Sequence, residues 1–176
     1  MTDADRLLDP RTLDGLAELP IGELRRLRAA CVEVETGLSY LRRLVQGPLD
    51  IVRREQQRRA GGAPEPDLSE LVAQLPGILA DGPRASGVGR LPQTLEPTDV
   101  DPVLQAELDE LVGGGRVAAV TTMDDAELAA LADALADFEA RVSGRRRAFH
   151  ERIDALQAEL TRRYRTGEAS VESLLD

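Results

Sequence analysis

Two long stretches of this chain carry apolar residues at alternating three- and four-residue steps, a spacing that leaves little option besides helices packed along one another. The first seam, from about residue 21 to 59, runs through Leu24, Leu27, Cys31, Val34, Leu38, Leu41 and Val45. It resumes at Leu49 and Val52 after a stutter at Pro48. The second, from about residue 124 to 165, runs through Leu128, Leu131, Leu135, Phe138, Val142, Phe149, Ile153, Leu156 and Leu160, with Arg145 interrupting it. Pro20 stands just before the first stretch and Gly61-Gly62 just after it, the usual start and stop residues. Before the second, TTMDD offers hydroxyl and carboxylate caps, and Asp124, Asp125 and Glu127 suit the positive end of a helix dipole. Composition agrees: no Trp, two Tyr, two Phe and 31% charged residues fit long helices better than a compact sheet. The expectation is an all-α fold built on a coiled coil.

At 176 residues the chain is sized for a single domain, 1–176. The connecting segment, about 60–123, is rich in Gly and Pro and holds two weaker amphipathic pieces. One runs from Asp67 to Ala80, broken at Pro76-Gly77; the other runs from Pro102 to Val112 and is stopped by Gly113-Gly114-Gly115. Short helices are expected there, covering the long pair or meeting a partner, since a connection of this length is usually functional or disordered. The segment Leu7 to Leu19 is open to the same two uses or to fraying, and so is the tail, 166–176.

The net charge of −10 argues against general DNA or membrane-surface binding, both of which need an extended basic footprint. All 22 basic residues are Arg. Codon usage accounts for most of that, although Arg's planar fork also suits bases and phosphates. Cys31 has no second Cys for a disulfide or a metal pair, and reads as a small seam residue. No leader pattern and no apolar run of membrane-spanning length is present, so a reduced, cytoplasmic location is expected.

Beside the first seam lies a polar stripe: Glu35, Ser39, Arg42, Gln46 and Asp50, spaced by four, three, four and four residues. At roughly 100° per residue these five fall within an arc of about 80° that borders the packing interface instead of opposing it. A shift of 104 residues lays EARVSGRRRAFHERID onto ETGLSYLRRLVQGPLD. Glu139 then falls on Glu35, Ser143 on Ser39, Arg146 on Arg42 and Asp154 on Asp50, while His150 replaces Gln46. Duplicated stripes beside duplicated seams point to a pseudo-twofold site. Guanine suits such a set, because its O6 and N7 acceptors match a guanidinium fork and its N1 and N2 donors match a carboxylate.

The pattern E-x3-S-x2-R-x3-Q-x3-D, here Glu35, Ser39, Arg42, Gln46 and Asp50, resembles the signature of RsiG-type anti-sigma factors of actinobacteria. ELRRLRAACVEVETGLSYLRRLVQGPLDIV resembles that family's first coiled-coil helix. The likeness covers both long helices, about half the chain. It implies an antiparallel helical hairpin whose two motifs bind cyclic di-GMP as a pair of stacked molecules, and a liganded form that sequesters a WhiG-type sigma factor governing sporulation or motility genes. Carried over by position, the ligand set is Glu35, Ser39, Arg42, Gln46, Asp50, Glu139, Ser143, Arg146 and Asp154. His150 departs from the pattern. Imidazole still offers one hydrogen bond when neutral, and as a residue type it changes charge near neutral pH. Gly47-Pro48 and Gly144 are expected to loosen or kink the two motifs.

An enzyme is not expected: Ser39, Glu35 and Arg42 lack a base oriented by a third group, and the Glu-x-x-His pattern of di-metal bundles is missing, so no metal site is assigned. The competing reading is a coiled-coil adaptor without a small-molecule ligand, its charged stripes specifying how helices pair. Spacing alone leaves open whether one chain or two build the site.

Overall fold

The structure, a computed structural model, describes residues 3–13, 15–62 and 100–168. Helix α1 (Asp3–Leu7) and a 3-10 turn (Pro10–Leu13) precede the first long helix, α2 (Ile21–Ala60). A short helix, α3 (Pro102–Val112), and a 3-10 turn (Val120–Thr122) lead into the second long helix, α4 (Asp125–Thr166). The amphipathic piece expected at Asp67 to Ala80 lies outside the described residues; the one at Pro102 to Val112 is α3. No strand is present among the described residues, and no described helix is long and apolar enough to cross a membrane.

α2 and α4 pack antiparallel along their whole length, each about 60 Å long at 1.5 Å per residue. At one end the Arg25 guanidinium lies over the Tyr164 ring, 5.8 Å from its centroid. At the other, Arg59 bonds Asp125 at 2.8 Å and also donates to the Val120 carbonyl. The two seams meet as expected. Leu24, Cys31, Leu38, Leu41, Val45, Leu49 and Val52 from α2 are buried against Leu128, Leu131, Leu135, Phe138, Val142, Phe149, Leu156 and Leu160 from α4. Leu27, Val34 and Ile153 complete the seam half-buried. Burial pushes the Cys31 thiol up, which fits an inert packing residue.

Local signals set the ends. Asp124 accepts from the Glu127 amide, and the Glu127 carboxylate accepts from the Asp124 amide, a reciprocal cap on α4. Gly167 closes α4 with φ +77°, a left-handed conformation suited to glycine. Gly113 caps α3, its amide donating to the Asp109 carbonyl at 2.7 Å in a turn where a Cβ would lie 2.3 Å from that same oxygen. The expected disruption at Pro48 does not break α2, which runs unbroken through it, and α4 likewise continues through Gly144. Gly47 and Gly144 face open space, and a Cβ added at either would meet nothing within 4 Å.

The N-terminal segment covers one flank of the hairpin. Ala4, Leu7, Leu8, Leu16 and Leu19 pack against the core, and arginines on the adjacent edge of α4 hold the segment in place. Arg152 donates to the Leu8 carbonyl, and Arg163 donates to those of Leu19 (2.6 Å), Leu16 (2.6 Å) and Ala17 (3.1 Å). Arg145, the residue that interrupts the seam, bonds Asp5 at 3.2 Å and pairs with Asp101 at 3.6 Å, while Arg141 pairs with Glu107 of α3. Covering the apolar flank offsets the ordering of this segment; the carbonyl bonds engage the buried Arg163 guanidinium through two nitrogens, whereas Arg152 bonds through Nη2 alone and leaves Nη1 buried without a partner among the described residues.

Two carboxylates brace the ends of the hairpin. Glu55 accepts from Arg58 and Arg59, which hold its carboxyl down to about 2, against an ordinary 4.5. Arg162 and Arg163 hold Glu159 down to about 2 in the same way. Carboxyls depressed on folding contribute stability that is complete above about 4.5 and is lost as pH falls toward 2. Thermal melts between pH 5 and 2 are therefore expected to fall more steeply for the wild type than for a Glu55→Gln, Glu159→Gln double variant. Parallel curves for the two proteins would rule this account out.

Candidate ligand-binding strip between the long helices

Antiparallel packing sets the two polar stripes side by side along the flank not covered by the N-terminal segment. Within each stripe the serine donates to the glutamate one turn before it: Ser39 to Glu35 at 2.7 Å, and Ser143 to Glu139 at 2.8 Å. Each arginine then reaches across to the other helix. Arg42 Nε lies 3.0 Å from both Glu139 Oε1 and Ser143 Oγ, and Arg146 Nη1 lies 3.4 Å from Glu35 Oε1. The same Glu-Ser-Arg unit thus occurs twice, read in opposite directions, with an approximate twofold axis between Arg42 and Arg146.

The two halves are not equally satisfied. Arg42 makes two short bonds through one nitrogen, whereas Arg146 makes a longer one and leaves its Nε buried without a partner among the described residues. His150 occupies the difference. Its Nε2 lies 2.7 Å from Arg146 Nη1 and 3.1 Å from Glu35 Oε1. A bare Nε2 accepts from Arg146, whereas a protonated one donates to Glu35, so a single atom chooses between the partners. Glutamine at the matching place in α2, Gln46, has separate donor and acceptor atoms and makes no such choice.

The outer members of the motif part company. Gln46 and Asp50 line a depression of about 360 Å³ together with Leu49, Arg53, Ala136 and Glu139, so both long helices contribute to it. Asp154 instead sits in a shallow depression lined by α4 alone, with Gln157, Thr161, Arg162 and Arg165 among its neighbours. Of the candidate residues, the structure gathers seven into two adjoining clusters: Glu35, Ser39, Arg146 and His150 in one, and Arg42, Glu139 and Ser143 in the other. It places Gln46 and Asp50 at one end and leaves Asp154 apart. Glu35, Ser39, Arg42, Gln46, Glu139, Ser143 and Arg146 are half-buried; Asp50, His150 and Asp154 are exposed.

Arg53 is a lining residue that the motif does not contain. It lies one turn beyond Asp50 on the same side of α2, and only its helical register distinguishes it from the neighbouring Arg54. A second depression, about 400 Å³ and mainly apolar, lies on the opposite flank against Ala4, Leu7, Val34, Leu38 and Pro102. Its charged lining residues include Arg145 and Asp101, which pair with each other at 3.6 Å.

The family model described as RsiG-like matches residues 10–79 and 114–176, which include both stripes and both long helices. No curated protein matches the chain.

Proposed function

The chain belongs to the RsiG-like family of anti-sigma-factor-type regulators, and from that premise we propose that it is a cyclic di-GMP-responsive anti-sigma factor that sequesters a WhiG-type sigma factor when ligand-bound. The observation that carries the reading is the reciprocal pairing of Arg42 with Glu139 and of Arg146 with Glu35. Each half offers a carboxylate for the N1 and N2 donors of guanine and a guanidinium for its acceptors, and a ligand with two guanines in twofold relation matches two such halves.

Ligand binding is an exchange. The arginines and glutamates that would meet the nucleotide now satisfy one another, and partly exposed pairs of this kind contribute only about 0.2–1 kcal/mol each. Opening them therefore costs little compared with two charge-assisted contacts per guanine. Two stacked cyclic di-GMP molecules would span the strip. The bound nucleotides would form part of the surface that meets the sigma factor, which is the differential contact a ligand needs in order to gate binding. The net charge of −10 fits a protein that acts on a protein partner in the cytoplasm, without direct DNA or membrane contact.

A second reading draws on the same pairs. Because the Arg–Glu pairs are already closed, the stripes would also serve a coiled-coil adaptor by fixing helix register with no small ligand. Co-purification with a WhiG-type sigma factor separates the two. Retention of the sigma factor only when cyclic di-GMP is present supports the proposal, and equal retention with and without the nucleotide supports the adaptor.

A further inference from the structure

Beyond the closed clusters, the end of the strip formed by Gln46 and Asp50 is open. Neither Gln46, Asp50 nor Arg53 makes a hydrogen bond or ion pair with another described residue, although Asp50 and Arg53 stand one turn apart on α2. All three line the inter-helix depression whose far wall is Ala136 and Glu139 of α4. A carboxylate and a guanidinium that leave each other unpaired at the mouth of a groove present one acceptor set and one donor fork to whatever enters it. Alanine at 136 leaves room on the facing helix.

The pseudo-symmetric end is built differently. The residue matching Arg53 under the 104-residue shift is Gln157, which is neutral and bonds Thr161 at 3.3 Å. The nearby Arg162 is engaged by Glu159 and Glu168. That end has no wall from α2. The duplication therefore preserves the motif but not the pocket.

We infer that Arg53 is a ligand-binding residue outside the repeated motif, and that it and Asp50 read the two edges of one guanine. Asp50 takes the N1 and N2 donors, and the Arg53 fork takes O6 and N7. The Gln46–Asp50–Arg53 end is consequently the tighter of the two. The inference rests on the cyclic di-GMP reading of the strip and adds the residue that makes its ends unequal.

The test is a calorimetric titration of cyclic di-GMP into the full chain as wild type, Arg53→Gln and Arg54→Gln. Both variants remove one positive charge from an exposed position, but Arg54 does not line the groove, so the pair separates a contact from general electrostatics. Arg53→Gln is expected to lower affinity about tenfold, the loss of one charge-assisted contact, while Arg54→Gln stays within about twofold of wild type. Equal affinities for all three proteins, or equal losses in both variants, would overturn the assignment of Arg53 and leave the functional proposal standing. A wild type that binds no cyclic di-GMP would overturn both.

Discussion

Replacing Phe138 by alanine is expected to remove about 3–5 kcal/mol of stability, the class of loss that truncating a fully buried aromatic ring brings. Phe138 is fully buried at the middle of the seam, between Leu135 and Val142 on its own helix and next to Glu139, whose carboxylate meets Arg42 of α2. The only other Phe, Phe149, is about three turns away along α4 and packs its own part of the seam. The Arg141 guanidinium, 5.6 Å from the ring centroid, would lose its stacking partner as well. Against a typical total of about 5–15 kcal/mol, such a loss brings the hairpin close to its limit. A melt followed by circular dichroism would record a drop of about 10 °C. Leu44→Ala serves as the control, since Leu44 is an exposed hydrophobic and its truncation is expected to stay within about 0.5 kcal/mol. Equal effects at the two positions would mean that the seam is not the core.

The second large effect concerns ligand affinity. Arg42→Ala and Arg146→Ala are each expected to weaken cyclic di-GMP binding about tenfold to a hundredfold, because each deletes the charged donor fork of its half of the strip. Neither change should alter the fold, since both side chains lie beside the seam and not within it. The two losses need not be equal: Arg42 is held by Glu139 and Ser143 together, whereas Arg146 shares Glu35 with His150. Loss confined to Arg42, with Arg146→Ala indifferent, would point away from an intrachain strip and toward two copies of α2 pairing between chains. Size-exclusion measurements on the same samples would settle that alternative.

The seams were legible because coiled-coil packing selects apolar residues at fixed steps, and every residue placed in them from spacing alone is buried or half-buried here. Asp124 and Glu127 were legible for a similar reason, since capping is a local interaction between neighbours in the chain. The N-terminal cover was not. Arg152 and Arg163 hold it through the carbonyls of Leu8, Leu16, Ala17 and Leu19, and a carbonyl carries no side-chain identity for a pattern to detect. Arg145 did leave a trace as the break in the second seam, but its partners Asp5 and Asp101 are distant in sequence and carry no signal by themselves.

The strip divides along the same line. Register alone locates Glu35, Ser39, Arg42, Glu139, Ser143 and Arg146 on adjoining edges, because a helix fixes which residues share a face. Which arginine meets which glutamate depends on the direction of the second helix, and only the antiparallel arrangement turns two parallel motifs into the reciprocal pairs Arg42–Glu139 and Arg146–Glu35. The separation of Asp154 from both clusters, against the inclusion of Asp50 in an inter-helix groove, has no counterpart in the motif. It follows from what lies opposite each residue. Pro48 offers the converse lesson: a residue that ordinarily kinks a helix is carried within α2, with Leu49 and Val52 resuming the buried seam immediately after it.

The central claim is that the strip between α2 and α4 takes cyclic di-GMP. Isothermal titration of cyclic di-GMP into the purified full chain, with helicity checked on the same sample, tests it directly. The account predicts saturable binding at micromolar ligand or below, with about two nucleotides per strip. A folded, helical protein that shows no binding heat under those conditions, and no shift in melting temperature with added nucleotide, would contradict it.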